Sequence, residues 1–166
     1  MSMPKWSSWQ VRSLTNEDEQ ISKVAQMKYD GFGKYYKESS VEKYILGLQK
    51  QLEIQDPNVF TLVGYVDGKI VGIAGTYLKW GNDKTKDFSP WFGSLYVLPE
   101  YRKQGLGYQL FCSVKNKLNH LGHSRIFLHT PNQENLYRKW GWSLIMEMEL
   151  NGQIEKIMEH LITCIP

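Results

Sequence analysis

A basic, glycine-containing segment follows an apolar run near the middle of the chain. Residues 97–107 read V-L-P-E-Y-R-K-Q-G-L-G and lie between an apolar run and a helix-like run. A strand that leads into a helix in this way exposes unpaired N–H groups and the positive end of the helix dipole. Gly105 and Gly107 allow close approach to the backbone, while Arg102 and Lys103 add positive charge. The segment predicts a phosphate-binding loop, and a glycine-bearing turn without ligand is the alternative.

Two common phosphate-binding sequences do not fit this segment. The P-loop sequence G-x-x-x-x-G-K-[ST] is absent from the chain, and the dinucleotide fingerprint needs a third glycine where Leu110 stands. What remains is R-x-x-G-x-G after V-x-P. This pattern resembles the pyrophosphate loop of the GNAT superfamily, the acyl-CoA-dependent N-acyltransferases.

A second motif downstream adds to this resemblance. Residues 130–142 read T-P-N-Q-E-N-L-Y-R-K-W-G-W and resemble the family's short helix with Leu-Tyr-x-Lys-x-Gly-aromatic. Pro90 and Trp91, together with residues 129–131, are similar to one bacterial branch of the superfamily. The two motifs have the separation typical of GNAT proteins, and the remainder of the chain matches by its order of elements.

The sequence pattern predicts an α/β fold with a mixed sheet. We expect strands at residues 10–14, 58–66, 69–79, 91–97, 124–129, 142–150 and 156–162, and helices at about 15–30, 40–54, 106–121 and around Tyr137. The pairs Asp67-Gly68 and Asn151-Gly152 predict hairpin turns. Strands on either side of the long helix should run parallel, after antiparallel N-terminal strands. The resemblance implies that these two parallel strands splay apart.

Length and composition predict one globular domain over residues 1–166. The chain is 42% hydrophobic and 22% charged, and its apolar runs are too short to span a bilayer. Residues 1–6 lack an apolar signal core, and two cysteines, Cys112 and Cys164, fit a reducing compartment. We therefore expect a cytoplasmic protein that binds no membrane.

The distribution of charge favours a polyanionic ligand over nucleic acid. A net charge of +3 is small for a nucleic-acid-binding domain, which would interleave aromatic with many more basic residues. Residues 101–125 nevertheless carry five basic and no acidic side chains, which suits coenzyme A. A solvated helix face is the alternative for Lys115 and Lys117. The spacing of cysteine and histidine matches no common metal site, so we expect no metal.

The resemblance implies acetyl-CoA as co-substrate and assigns residues to it. Tyr96 and Val97 would offer backbone groups to the pantetheine arm and thioester between the splayed strands. The pyrophosphate would be held by Arg102, Lys103, Gln104, Gly105, Leu106, Gly107 and Tyr108. Many GNAT proteins have an asparagine where this chain has Thr130. Asn132 either substitutes for it or caps the short helix, and Asn135 would lie on the pantetheine side.

The implied reaction is direct attack by an amine on the acyl thioester in a ternary complex. Tyr137 matches the family tyrosine that serves as general acid near the thioester sulfur, with a purely packing ring as the alternative. Residues 91–97 contain no carboxylate to act as base. Either a water relay through Ser94, Tyr96 or His129 fills that role, or the amine binds in its neutral form. For His129 itself, a structural role is favoured.

The acceptor stays open at this stage. Residues 30–38 link the first two helices, a segment that lines the acceptor pocket in GNAT proteins. Their aromatic rings beside Asp30 would hold a cationic amine, or simply close the core. A small amine and a protein amine both fit, and we leave open whether the protein forms a homodimer. The missing carboxylate also keeps a catalytically silent acyl-CoA-binding module as the alternative function.

Overall fold

Apolar runs separated by turn residues build a seven-stranded sheet in the computed structural model, which describes residues 6–163. The strands are β1 (Trp9–Ser13), β2 (Thr61–Val66), β3 (Lys69–Tyr77), β4 (Trp91–Val97), β5 (Arg125–Thr130), β6 (Ser143–Leu150) and β7 (Gln153–Leu161). The helices are α1 (Asp18–Gly31), α2 (Val41–Ile54), α3 (Leu106–His120) and α4 (Glu134–Lys139). Cys164 and nearly all of the N-terminal segment 1–6 lie outside the described residues.

The sheet is mixed, as predicted, with the strand order β1-β2-β3-β4-β5-β7-β6. All neighbouring strands run antiparallel except β4 and β5. These two parallel strands, connected through α3, are paired only at Trp91 and Phe127. The expected splaying of the two central strands is therefore confirmed, and it leaves a gap beyond Trp91.

A bulge bends β4 just beyond its pairing with β5. On β3, Ile73 pairs with Tyr96 and Gly75 pairs with Gly93, so two residues of β4 stand opposite one residue of β3. Ser94, the first of these two, has a φ of 54°, in the left-handed region that non-glycine residues rarely adopt. A bulge of this kind bends its strand and increases the local twist. It gives β4 a direction different from that of β5.

Local turn conformations and side-chain hydrogen bonds explain which predicted boundaries of helices and strands are confirmed. Both hairpins are confirmed, and Asp67 and Asn151 adopt positive φ values of 48° and 53° at their turns. The second helix begins as predicted, because the Ser40 hydroxyl accepts a hydrogen bond from the Lys43 N–H at 3.2 Å. The first helix begins later than predicted, at Asp18.

The late start of α1 has a specific cause. Thr15 does not cap the helix; its N–H and hydroxyl donate to the side chain of Gln20, while its hydroxyl accepts from the Glu17 N–H at 3.5 Å. These bonds hold residues 15–17 as a turn ahead of the helix. Strand β2 also begins later than predicted, because Asp56 accepts the N–H of Asn58 and keeps this stretch in a turn.

Helices cover both faces of the sheet. On one face, α3 contributes its apolar stripe Leu110, Phe111, Val114 and Leu118 to a cluster with Ile126 and Leu128 of β5. On the other face, α1 and α2 pack with Leu48 and Ile73 in a second cluster. The segment at 78–90 extends this second layer, and its Phe88 stacks on Phe127 at 4.7 Å. Among residues 6–163, no helix is long and apolar enough to cross a membrane.

Two glycines should respond oppositely to alanine. A Cβ at Gly75 would lie 2.6 Å from the Phe60 carbonyl oxygen, whereas a Cβ at Gly47 in α2 meets nothing within 4 Å. We expect Gly75→Ala to lower the free energy of unfolding by about 1–3 kcal/mol through overpacking. Gly47→Ala should raise it by about 0.5–1 kcal/mol, because alanine favours the helix. Urea unfolding measures both, and equal effects would contradict the packing described for β3.

Candidate functional site

A cleft of about 520 Å³ opens where β4 has left β5. Its walls come from the end of β4, the loop before α3, the first turn of α3 and one side of α4. The residues that line it are Leu95, Tyr96, Val97, Tyr101, Arg102, Lys103, Gly105, Leu106, Gly107, Tyr108, Gln133, Leu136, Tyr137 and Trp140. The gap in the sheet thus joins the two sequence motifs in one cavity.

The loop at the start of α3 presents backbone donors to this cleft. Because α3 begins at Leu106, the N–H groups of its first turn have no carbonyl within the helix to bind. Gly105 has a φ of 84°, and a Cβ there would meet nothing within 4 Å, so glycine is required by conformation and not by lack of space. At Gly107 a Cβ would lie 3.4 Å from the Trp140 ring, an ordinary contact distance, so the first turn of α3 lies close to the end of α4.

Arg102 is fixed against the end of β4. Its Nε donates to the Val97 carbonyl at 2.8 Å, and its guanidinium carbon lies 5.2 Å from the centre of the Tyr96 ring. This arrangement uses Nε only, so the terminal amino groups can still donate to an anion. The Tyr96 ring lies beside Gly31 at the end of α1, where a Cβ would be 2.6 Å from the ring.

Tyr137 places a half-buried phenol at the other wall of the cleft. Its ring meets Trp140 edge-on at 5.4 Å and Trp142 at 6.1 Å. Burial raises the pKa of Tyr137 to about 12, so the phenol keeps its proton at neutral pH and can donate it. The short helix that carries it is tied to β7, because Glu134 binds the Lys156 ammonium at 2.8 Å.

A second half-buried phenol, which sequence reasoning missed, lies on β3 beside β4. Tyr77 of β3 passes over Gly93, where a Cβ would be 2.4 Å from its ring. Burial, then Glu155, then Tyr137 raise the pKa of the Tyr77 phenol. A glycine in the middle of an apolar strand was the available signal, since it often marks close approach of another group.

Four of the predicted site residues do not line the cleft. Gln104 is exposed and donates to the Glu100 carbonyl at 3.4 Å. Thr130 is buried, and its hydroxyl accepts the Gln133 N–H at 3.1 Å. Asn132 and Asn135 are exposed.

The turn before α4 is therefore closed by Thr130, and the capping alternative for Asn132 is wrong. The side of α4 that does face the cleft consists of Gln133, Leu136, Tyr137 and Trp140. These residues have the i, i+3, i+4 and i+7 spacing of one helix face that includes Tyr137. This spacing could have identified the face from the sequence.

The segment between α1 and α2 does not close the core with all of its rings. Tyr35 and Tyr36 are 73% and 70% exposed, which contradicts the core-closing alternative for these two residues. Asp30 accepts a hydrogen bond from Gln26 at 2.9 Å. Lys34 lies 5.3 Å from the centre of the Tyr35 ring. The segment therefore presents aromatic and charged groups at the surface.

Comparison with known proteins finds a sequence family. The family model described as Acetyltransferase (GNAT) family matches residues 21–142, which is most of the chain and includes both motifs. A comparison with curated protein sequences finds no match.

Many solved structures share the fold at low sequence identity. Aminoglycoside 6'-N-acetyltransferase complexed with coenzyme A is 15% identical with a TM-score of 0.71, over 94% of this chain and 98% of that one. The yncA protein of Salmonella typhimurium, with its cofactor acetyl-CoA, is 13% identical with a TM-score of 0.71, over 95% of each chain. Ribosomal-protein-alanine N-acetyltransferase from Brucella melitensis is 14% identical with a TM-score of 0.72, over 92% and 99%. At these identities the likeness establishes the fold alone.

The hydroxyl of Thr130 should matter for stability. Thr130→Val keeps the shape of the side chain but leaves the Gln133 N–H without its acceptor, which should lower the free energy of unfolding by about 1 kcal/mol. Thr130→Ser keeps the hydroxyl and should cost less. The denaturant concentrations at which the two variants are half unfolded measure this difference in stability. A valine variant as stable as the original protein would show that this hydrogen bond does not hold the turn.

Proposed function

Because the chain belongs to the GNAT family of acetyltransferases, we propose that it transfers an acetyl group from acetyl-CoA to a primary amine. Family membership supports acetyl transfer in general, and the choice of an amine acceptor is our proposal. The observation that carries it is the single cleft in which the glycine loop, the end of β4 and the Tyr137 phenol meet.

The pyrophosphate of the co-substrate is assigned to the loop before α3. The unpaired N–H groups of the first turn, the helix dipole and the side chains of Arg102 and Lys103 all favour an anion there. The proposed backbone and side-chain contacts involve Arg102, Lys103, Gln104, Gly105, Leu106, Gly107 and Tyr108. Of these seven, all but Gln104 line the cleft. Thr130, Asn132 and Asn135 stay predictions as cofactor contacts.

The pantetheine arm is assigned to the gap between β4 and β5. Beyond Trp91, β4 has no pairing with β5, so its backbone groups on that side can bind an extended arm as an added strand would. Tyr96 and Val97 are the proposed contacts. Arg102 already engages the Val97 carbonyl, so the Val97 N–H is the group that can serve the thioester.

The chemical step follows from this placement. The lone pair of the neutral amine attacks the thioester carbon, and the carbonyl electrons move to oxygen, where the Val97 N–H stabilises the negative charge. As the C–S bond breaks, its electron pair goes to sulfur, which takes the Tyr137 proton. The raised pKa of Tyr137 keeps that proton available. The nitrogen loses its extra proton to solvent and the Tyr137 phenolate regains one from solvent, so that the products are the acetylated amine and coenzyme A.

A catalytically silent acyl-CoA-binding module is the second candidate. It is favoured by the absence of a carboxylate along β4. Both candidates bind acetyl-CoA, and only the enzyme releases free thiol in the presence of an amine. The test is a thiol-release assay with polyamines, aminoglycosides, arylalkylamines and peptides as acceptors. Thiol release above the acceptor-free rate supports the enzyme; binding without release by any of these amines supports the silent module.

The same thiol-release assay distinguishes a small-molecule amine acceptor from a protein amine acceptor. No metal is invoked in this reaction. The cytoplasmic location and a homodimer stay predictions.

Binding of acetyl-CoA should depend on Gly107. A ligand that binds only the folded state raises the free energy of unfolding, by about 2.7 kcal/mol at a hundredfold excess over Kd. The melting temperature rises as a result. Gly107→Val places two methyl groups beside Trp140 and the first-turn N–H groups, so this shift should disappear while the protein stays folded. Gly47→Ala, on a helix that does not line the cleft, should keep the full shift. Calorimetric binding by the valine variant equal to that of the original protein would contradict the phosphate loop.

Turnover should depend on the Tyr137 hydroxyl. Tyr137→Phe keeps the ring packing, so acetyl-CoA affinity should change little while kcat falls by roughly 10²-fold, the low end for acid–base groups. The raised pKa also predicts that the phenol loses its proton only at about pH 12. Up to about pH 10, we therefore expect the kcat of the original protein to vary with pH in the same way as the kcat of the phenylalanine variant. Near-normal turnover of the variant would reduce Tyr137 to packing.

A further inference from the structure

His129 lies at the gap, on the face of the sheet opposite α3. The residue of β5 that pairs with β4 is Phe127, and His129 follows two positions later, so both side chains point to the same face. The intervening Leu128 packs in the cluster of α3 and Tyr137. The imidazole therefore stands where the two strands have parted, with Tyr137 packed on the other face.

A buried carboxylate orients this imidazole. His129 Nδ1 lies 3.2 Å from Glu155 Oε2, and the two side chains are 27% and 11% exposed. A carboxylate only accepts hydrogen bonds, so Nδ1 carries the proton and Nε2 carries the lone pair. Burial lowers the pKa of His129, against the opposite effect of Glu155, and keeps the ring neutral near pH 7.

Aromatic rings fix the plane of the imidazole. Trp80 from the segment at 78–90 stacks on it at 3.8 Å with an interplanar angle of 11°. Trp91 meets it edge-on at 6.1 Å. Tyr77 from β3 and Glu155 from β7 are the titratable groups around this site, and the charge of Glu155 acts on both Tyr77 and His129.

A purely structural role explains this arrangement less well. Burying the Glu155 carboxylate beside a neutral imidazole costs desolvation free energy, so packing alone does not call for this pair. The imidazole also keeps partial exposure, whereas Phe127 on the same strand is almost fully buried. A neutral imidazole with a fixed tautomer is what a general base requires.

We propose that His129 is the general base of the reaction and that Glu155 is its positioning residue; this inference rests on the proposed function. After the amine nitrogen has bonded to the thioester carbon, it carries one proton too many. His129 Nε2 takes that proton, and Tyr137 gives one to the departing sulfur. Solvent then removes the proton from the imidazolium and returns one to the phenolate, so that both residues are restored.

The first test compares two half-buried histidines. His129→Phe keeps an aromatic ring against Trp80, and it should lower kcat/KM for the best acceptor by about 10²-fold or more with unchanged acetyl-CoA affinity. His160 on β7 is the matched control, because burial also lowers its pKa and it contacts the Gly141 carbonyl, outside the cleft. His160→Phe should keep normal turnover. Turnover of His129→Phe within twofold of the original protein overturns the proposal.

The second test uses the pH profile of acetyl-CoA hydrolysis, because water does not itself titrate in this range. The rate should fall toward acid with a midpoint below 6.5, as His129 becomes protonated. Glu155 raises the pKa of His129, so Glu155→Gln should move the midpoint to lower pH. An unmoved midpoint would overturn the role of Glu155. If the original protein releases no thiol with any amine, the proposed function fails and this proposal fails with it; an active original protein with an equally active His129→Phe rejects the base alone.

Discussion

The parting of β4 from β5 is the constraint on which the rest of the site depends. The two strands share one pair of residues, Trp91 and Phe127, and the bulge at Ser94 then bends β4 away. A continuous parallel ladder would use the backbone of β4 for sheet pairing and close the cleft. The irregular backbone thus costs some sheet hydrogen bonding and opens a surface where an extended ligand can bind. The packing of α1, α2 and α3 on the two faces stabilises the sheet against this loss.

The gap also brings together groups from opposite faces of the sheet. Tyr137 packs in the α3 cluster, whereas Tyr77 and His129 lie on the other face with Trp80 and Trp91. In a complete sheet these groups would be separated by a layer of backbone. Here the ionised form of Tyr137 raises the pKa of the Tyr77 phenol. A proposed reaction with a proton donor on one face and a proton acceptor on the other is consistent with this arrangement.

The sequence predicted the features that depend on neighbouring residues. The turn pairs at Asp67 and Asn151, the Ser40 cap and the strand–loop–helix order around Gly105 are local, and all appear in the structure. Contacts between distant residues were not predictable in this way.

Three side-chain interactions of this kind explain where the structure differs from the sequence prediction. Gln20 competes for Thr15 and delays α1. Thr130 uses its hydroxyl to close the turn before α4, a bond that the motif did not predict. The Tyr77 ring can lie over β4 only because Gly93 on that strand has no side chain.

The hydrogen bond from Arg102 to the Val97 carbonyl has a thermodynamic consequence. An arginine side chain that is mobile before binding loses rotational freedom when it grips a ligand, at about 0.5–1.5 kcal/mol for a side chain of this kind. Arg102 has already lost much of this freedom, because its Nε is bonded and its guanidinium lies on the Tyr96 ring. An anion that reaches the loop therefore meets a donor whose entropy was lost during folding. The free-energy cost of ordering Arg102 is then part of the stability of the protein, and an anion that binds here would bind correspondingly more tightly.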